Sequence, residues 1–280
     1  MTPDVVVDIG NSRMKWGICR DFGFIEPVNS PSNRLRSQLE LIHDESDVGY
    51  ISLPNDRTEW DLIGRGIPRN SQLKWVIASV NPEITNRFSQ WVSERGDMFT
   101  IIDASMPIPI SVSVDSPDRV GIDRLMNAIG AIPHLQISNP GIIVDAGTAI
   151  TVDLIDSNRV FQGGAILPGF QLMFNALHGY TAKLPLINEW DLGRPYDEYD
   201  DRPPAKNTEN AIVCGVVAAA RGAVELLIRF MNRKLAEPPK IIATGGMGRE
   251  SIRSLEKAYQ CEYIEKLTLE GIRIAAESLP

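Results

Sequence analysis

Apolar and polar positions along this chain switch between two periods, and the switches mark out its elements. Val5–Ile9 and Arg13–Ile18 are short apolar runs on either side of a tight Asp-x-Gly turn, the pattern of two closely joined strands. A third strand at Phe24–Val28, a short helix over Arg34–Ile42 and a strand at Gly49–Leu53 are predicted next. Residues 54–72 are polar, carry glycine and proline and show no clean period, so they read as a surface excursion. Trp75–Val80 reads as a buried strand, Pro82 opens a helix to about Arg95, and Phe99–Ile102 is a further strand. Met106–Pro117 reads as an extended linker. Beyond it the pattern predicts a helix over Val120–Ile132, strands at 142–145, 149–155 and 159–166, and a helix at about 169–177. A charged, proline-bearing loop at 185–207 precedes a long helix at about 208–235. Strand Lys240–Ala243 with a glycine turn, a helix at 248–258, a short strand near 261–264 and a helix at 268–278 complete the chain. This order predicts mixed sheets flanked by helices, in two domains of 1–116 and 117–280.

The two halves open alike. VVVDIGNSRMKWGI (Val5–Ile18) has a partner in IIVDAGTAITVDLI (Ile142–Ile155), with Asp8 matching Asp145 and Gly10 matching Gly147. Each copy puts a carboxylate where a buried strand should have none, which costs several kcal/mol unless it meets a cation or donors. Each glycine lets backbone N–H groups come close to a ligand. Plain hairpins use Asp and Gly for turn geometry alone. Two copies, with Asn11 and Ser12 after the first and Thr148 after the second, favour phosphate binding instead. Lys15 is within reach of a β- or γ-phosphate as a point charge. Neither G-x-x-x-x-G-K-[ST] nor G-x-G-x-x-G occurs, so a nucleotide needs another architecture here.

RVGIDRLMNAIGAI (Arg119–Ile132) places Ile122, Leu125, Met126, Ile129 and Ile132 at helical spacing as a core face. Asp123, Asn127 and Gly130 fall on another face, and Asp123 stands near the helix N-terminus, where the macrodipole favours negative charge. The competing reading is a helix-start acid beside a solvated Arg124. Asp118, after Pro117, is assigned to capping only. FQGGAILPGF (Phe161–Phe170) and IIATGGMG (Ile241–Gly248) place glycines where a backbone comes close to a ligand or another chain. The long helix carries a stripe of small residues at Ala211, Gly215, Ala218, Ala219 and Gly222, suited to close helix packing within the fold or across a dimer. His43, His134 and His178 have no metal-ligand spacing.

Composition narrows the classes. The 280 residues suffice for two domains, and 43% apolar with 23% charged residues is the balance of a soluble globular protein. A net charge of −8 with no basic block argues against nucleic-acid binding. Three scattered cysteines read as reduced thiols. With no signal-peptide pattern and an uncharged run (Asn210–Ala220) too short for a bilayer, a cytoplasmic protein without a membrane span is expected.

Taken in order, DIGNSRMK, GIDR, DAGTAIT, GGAILPG, AKNTENA and ATGGMG resemble the type III pantothenate kinases, within the acetate and sugar kinase, chaperone ATPase and actin superfamily. The resemblance covers nearly the whole chain, including Thr181–Ile187 and Leu267–Ile272. It implies two ribonuclease H-like (actin-like ATPase) α/β domains with a nucleotide cleft between them, and ATP-dependent phosphorylation of pantothenate to 4'-phosphopantothenate, the first step of coenzyme A biosynthesis. It further implies that Asp8, Gly10, Asn11, Ser12 and Lys15 bind ATP phosphates, with Asp8 near Mg²⁺, and that Thr148 contacts ATP. Asp145 matches a ligand of a monovalent cation, K⁺ or NH₄⁺. Gly121, Ile122, Asp123 and Arg124 match the pantothenate-contacting segment, Asp123 the proton acceptor and Thr208 a substrate-contacting threonine. A homodimer is implied, the partner subunit closing the pantothenate site. Val114 stands where many members carry an aromatic residue. Alternatives are a regulator of the Bvg accessory factor type and another small-molecule kinase of the superfamily.

Overall fold

Strand β1 (Val5–Ile9) lies at the centre of a five-stranded sheet, antiparallel to β2 (Arg13–Cys19) and parallel to β4 (Lys74–Ser79). β3 (Val48–Pro54) and β5 (Met98–Ile102) form the edges, giving the order β3-β2-β1-β4-β5. These elements belong to a computed structural model that describes residues 1–19, 48–55, 57–64, 67, 72–188 and 204–279. The predicted strand at Phe24–Val28, the helix at Arg34–Ile42 and much of the 185–207 loop fall outside the described residues.

Side chains alternate across a strand, so β1 has two apolar faces. Val5, Val7 and Ile9 join Met14, Trp16, Trp75 and Ile77 in one core cluster. Helices α1 (Arg57–Gly64) and α2 (Pro82–Glu94) bring Trp60, Phe88 and Trp91 to it. The rings meet mostly edge to face, as Trp16 does with Trp75 at 5.3 Å. Arg95 sits 5.2 Å above the Trp91 ring and pairs with Asp97 at 3.0 Å, whose carboxylate also accepts from Trp75 Nε1.

Helix α1 corrects the reading of residues 54–72 as a surface excursion. Trp60 and Gly64, four residues apart on the helix, are buried, and so is Ile67 beyond its end. Its inward face was hidden because one of its two members is a glycine: a Cβ at Gly64 would stand 2.6 Å from the Trp91 ring. The absent side chain makes room for the indole.

The other face of this sheet carries Val6, Val76 and Asp8, all buried. It is covered by α7 (Leu267–Ser278), the last helix, which packs on β1, β2 and β4. Helix α3 (Ile122–Ala131) packs on α7 in turn. A Cβ at Gly271 would overlap the Met126 carbonyl oxygen, and one at Gly130 the Leu267 carbonyl oxygen. The Thr268 hydroxyl donates to Asn127 Oδ1 at 2.7 Å, a buried bond between the same two helices. Residues 115–130 and 266–280 therefore cluster with 1–110 as one compact unit, while 111–114 and 131–265 form the second. The sequence-based partition at 116/117 assigns α3 and α7 to the C-terminal half instead.

The second unit holds β6 (Ser111–Val112), β7 (Gly141–Ala146), β8 (Ala149–Ile155), β9 (Val160–Pro168), β10 (Lys240–Thr244) and β11 (Cys261–Tyr263). Their order is β11-β10-β7-β8-β9-β6, with β7 antiparallel to β8 and parallel to β10. β6 lies within the predicted linker, where Ser111 and Val112 pair with Val160 and Phe161. Helices α4 (Phe170–Gly179) and α5 (Thr208–Asn232) cover one face, burying Phe174, Val213, Val217 and Val224 against Ile142 and Val144. α5 is long and apolar enough to cross a membrane by length and composition. Its buried residues, Arg221 among them, make it the core helix of this unit. The helix expected over 248–258 is α6 (Gly248–Ile252) followed by a single 3₁₀ turn.

Arg159, in a left-handed conformation (φ 65°), donates to the carbonyls of Leu135, Gln136 and Asn139 and ties the β8–β9 turn to the loop before β7. The cysteines are free thiols, and burial pushes Cys19 up to about 12 and Cys261 to about 11. Both stay protonated at neutral pH, as expected of unreactive structural thiols.

Candidate active site

The first Asp-x-Gly turn closes through a single backbone bond, Gly10 N–H to the Arg13 carbonyl at 3.0 Å. Asp8 is buried on β1, and Lys15 stands directly opposite on β2, so both side chains lie on the face covered by α7. The Lys15 ammonium is 3.7 Å from Asp8 Oδ2, which supplies the cation that a carboxylate at this position requires. Asn11 and Ser12 are exposed at the tip. Arg13 is turned away from the tip: its Nε donates to Ser52 Oγ at 2.9 Å and its Nη2 to the Ser52 carbonyl at 3.1 Å.

Asp123 lies in the same compact unit, in the first turn of α3. Its Oδ1 accepts the Arg124 backbone N–H at 2.8 Å, so the carboxylate folds back over the helix start. Gly121 makes that conformation possible, because a Cβ there would meet Asp123 Oδ1 at 2.5 Å. Gly121 and Arg124 are half-buried, and the Ile122 side chain is buried in the core. A carboxylate fixed at a helix N-terminus, next to a guanidinium-bearing residue, is suited to accept a proton from a hydroxyl placed before it.

In the second unit the Asp145 turn has a different size. Between paired residues the first turn has Gly10 to Arg13, four residues, and the second has Gly147 to Ala149, three. The residue opposite Asp145 is therefore Thr151, not the counterpart of Lys15. Thr244 of β10 stands on its other side. The Thr151 hydroxyl is buried and has no hydrogen-bond partner among the described residues. A carboxylate beside an unused hydroxyl is the oxygen donor set that hard cations prefer. The described residues contain no group of three or more His, Cys, Asp or Glu side chains of the kind that holds a transition metal.

Two glycine motifs support this turn. Gly169 donates to the Thr148 carbonyl at 3.0 Å, and a Cβ there would overlap the Gly147 carbonyl oxygen. Gly245 (φ 85°) brings the TGGMG turn against Asp145, with Met247 N–H donating to the Ala146 carbonyl at 3.1 Å. Tyr263 completes this corner, its hydroxyl donating to the Gly245 carbonyl and its ring lying 4.8 Å from the Arg249 guanidinium. Thr148 is exposed at the turn tip. Thr208 is exposed in the first turn of α5, whose cap is Asn207, accepting from Asn210 N–H at 2.8 Å. Val114 packs beside Gly163, its Cγ1 3.2 Å from where a Cβ would stand.

Sequence reasoning missed Ser52 and Asn55, which hold the first turn, and the glycine crossing of α3 and α7. The large apolar Trp60 was the available signal that residues 57–64 turn a face toward this core.

Two mixed sheets, each opening with an Asp-x-Gly turn between antiparallel strands, give this chain the fold class of the actin-like ATPases and sugar kinases, a likeness of fold alone. Within that class the chain belongs to the type III pantothenate kinase family, whose profile matches residues 5–229. The type III pantothenate kinase of Desulfosudis oleivorans is 28% identical over 291 residues, covering 98% of each chain. That of a Polaromonas species is 30% identical over 275 residues, covering 96% of this chain and 95% of its own. A solved structure described as a putative Baf family transcriptional activator from Campylobacter jejuni superposes with a TM-score of 0.54 at 20% identity, covering 98% of each chain, a likeness of fold alone.

Proposed function

We propose that this chain transfers the γ-phosphoryl group of ATP to the primary hydroxyl of pantothenate, giving 4'-phosphopantothenate and ADP. The observation that carries the reading is the arrangement of the first unit: α3, which bears Asp123, is pinned to α7, and α7 lies on the sheet face that bears Asp8 and Lys15. A carboxylate of pKa about 4 does not deprotonate an alcohol in the ground state. Phosphoryl transfer passes through a loose transition state in which the proton leaves late. Asp123 orients the hydroxyl and takes its proton as the new P–O bond forms and the bond to ADP breaks. Arg124 holds the substrate carboxylate or the charge on the moving phosphoryl group, and Gly121 and Thr208 line the pantothenate. Lys15 and the backbone of Gly10, Asn11 and Ser12 hold the phosphates, and Thr148 contacts the nucleotide. Mg²⁺, carried on the phosphates near Asp8, supplies further neutralising charge when bound.

The test is ADP release in K⁺ buffer with pantothenate, compared with a panel of sugars and with acetate. Release that depends on pantothenate is expected; its absence would sink the reading. Asp145, with the Thr151 hydroxyl opposite, is assigned a monovalent cation, K⁺ or NH₄⁺. Exchange of K⁺ for Na⁺ is expected to reduce turnover greatly, and equal rates in the two salts would remove Asp145 from that role.

A homodimer in the cytoplasm, without nucleic acid or membrane, completes the proposal. α5 supports it: Ala211, Gly215, Ala219, Gly222 and Leu226 form an exposed apolar stripe, and a Cβ on Gly215 or Gly222 would meet nothing within 4 Å. Glutamate at Gly215 is expected to shift the mass measured by light scattering from dimer to monomer. An unchanged mass would place the interface elsewhere.

A further inference from the structure

We infer that Asn55 is a positioning residue for the first Asp-x-Gly turn, through which the end of β3 sets the affinity for the nucleotide's phosphates; this rests on the proposed reading of that turn as the phosphate site. Asn55 follows β3 directly, and its amide Nδ2 donates to the Gly10 carbonyl at 3.1 Å and to the Asn11 carbonyl at 3.4 Å. The bonds of Arg13 to Ser52 fasten the far end of the same turn to the same strand. The turn is thus held by β3 at both ends.

The peptide bond converts this grip into phosphate recognition. In a planar trans peptide the C=O and the following N–H point in opposite directions. Holding the Gly10 carbonyl fixes the direction of the Asn11 N–H, and holding the Asn11 carbonyl fixes that of the Ser12 N–H. Asn55 therefore draws two carbonyl oxygens to itself and aims the next two N–H groups away from β3. An anion-binding turn needs that orientation, donors forward and carbonyl oxygens behind. The need is acute here because a strand, β2, follows the turn, so no helix N-terminus adds its dipole.

A purely structural role predicts something different. Asn55 Oδ1 is buried and has no hydrogen-bond partner among the described residues. An unsatisfied buried acceptor is a cost that alanine removes, offsetting the two donor bonds that alanine loses. The fold then gains little from asparagine here, and the benefit falls on the ligand.

The experiment measures binding of a non-hydrolysable ATP analogue with Mg²⁺ by calorimetry, steady-state kinetics for ATP and pantothenate, and thermal unfolding. Asn55→Ala is expected to weaken analogue binding and raise the KM for ATP by about tenfold, the loss of about 1.4 kcal/mol of oriented donors. The KM for pantothenate should move less than about twofold, and the Tm by no more than a few degrees. Asn55→Asp, of equal size, should weaken nucleotide binding further, because it sets a carboxylate against two carbonyl oxygens near the phosphates. Asn55→Ser, which keeps a donor on a shorter arm, should fall between wild type and alanine. Analogue affinity within about twofold of wild type in Asn55→Ala overturns the inference, as do equal losses for both substrates. If wild type binds the analogue but releases no ADP with pantothenate, the kinase reading fails and Asn55 is judged on binding alone. Wild type that binds no nucleotide overturns the phosphate reading and this inference together.

Discussion

Asparagine at position 123 is expected to lower kcat by roughly 10²–10⁴ while ATP binding stays close to wild type. The substitution keeps size and shape but removes the negative charge and with it the ability to accept a proton. Asn Oδ1 still accepts the Arg124 N–H as Asp123 does at 2.8 Å, so the helix start is preserved. A companion variant separates chemistry from placement. Gly121→Ala leaves the carboxylate in the chain but forces it away, since the new Cβ would meet Asp123 Oδ1 at 2.5 Å. If Asp123 is the proton acceptor, both variants lose turnover, and only Gly121→Ala should also raise the KM for pantothenate. Near-normal kcat in Asp123→Asn, measured by ADP release under saturating substrates, would remove this carboxylate from the mechanism.

The largest expected loss of stability comes from the crossing of α3 and α7. Gly271→Ala puts a methyl group where the Met126 carbonyl oxygen already stands, and Gly130→Ala does the same against Leu267. Neither obstacle is a flexible side chain; each is helix backbone, so relief requires the helices to separate. Overpacking of this kind costs about 1–3 kcal/mol or more, and separation also strains the buried Thr268–Asn127 bond. Urea unfolding followed by tryptophan emission reports mainly on the right unit, because four of the chain's five tryptophans, Trp16, Trp60, Trp75 and Trp91, lie within it. A midpoint unchanged in Gly271→Ala would show that the two helices do not meet closely at this crossing. The same variant should lower kcat more than it weakens ATP binding, since α3 carries Asp123 and the first turn hangs on β1 and β3.

Much of this was legible in the chain. The paired Asp-x-Gly turns, the strands around them and the helix bearing Asp123 follow from local pattern, because β-branched runs broken by Asp-x-Gly and a stripe at 3.6 spacing are short-range signals. What was not legible was long-range. That α7, at the far end of the sequence, lies on β1 depends on which apolar face finds which, and Val6 and Val76 look no different in sequence from Val5 and Ile77. Glycines concealed the helix crossings, since a residue chosen for having no side chain leaves no periodic mark. Asn55 was passed over because a lone asparagine in a polar stretch has many uses, and only its two carbonyl partners single it out.

The two turns differ by one residue, and in a hairpin one residue decides what stands across from each aspartate. Across from Asp8 it is an ammonium carried by the chain; across from Asp145 it is a neutral hydroxyl. On the proposed assignment, the first copy meets an ammonium of its own hairpin and the second adds a cation from the surrounding solution. A one-residue difference in turn length is enough to change the group across the hairpin, and on that assignment to make turnover answer to the salt around it.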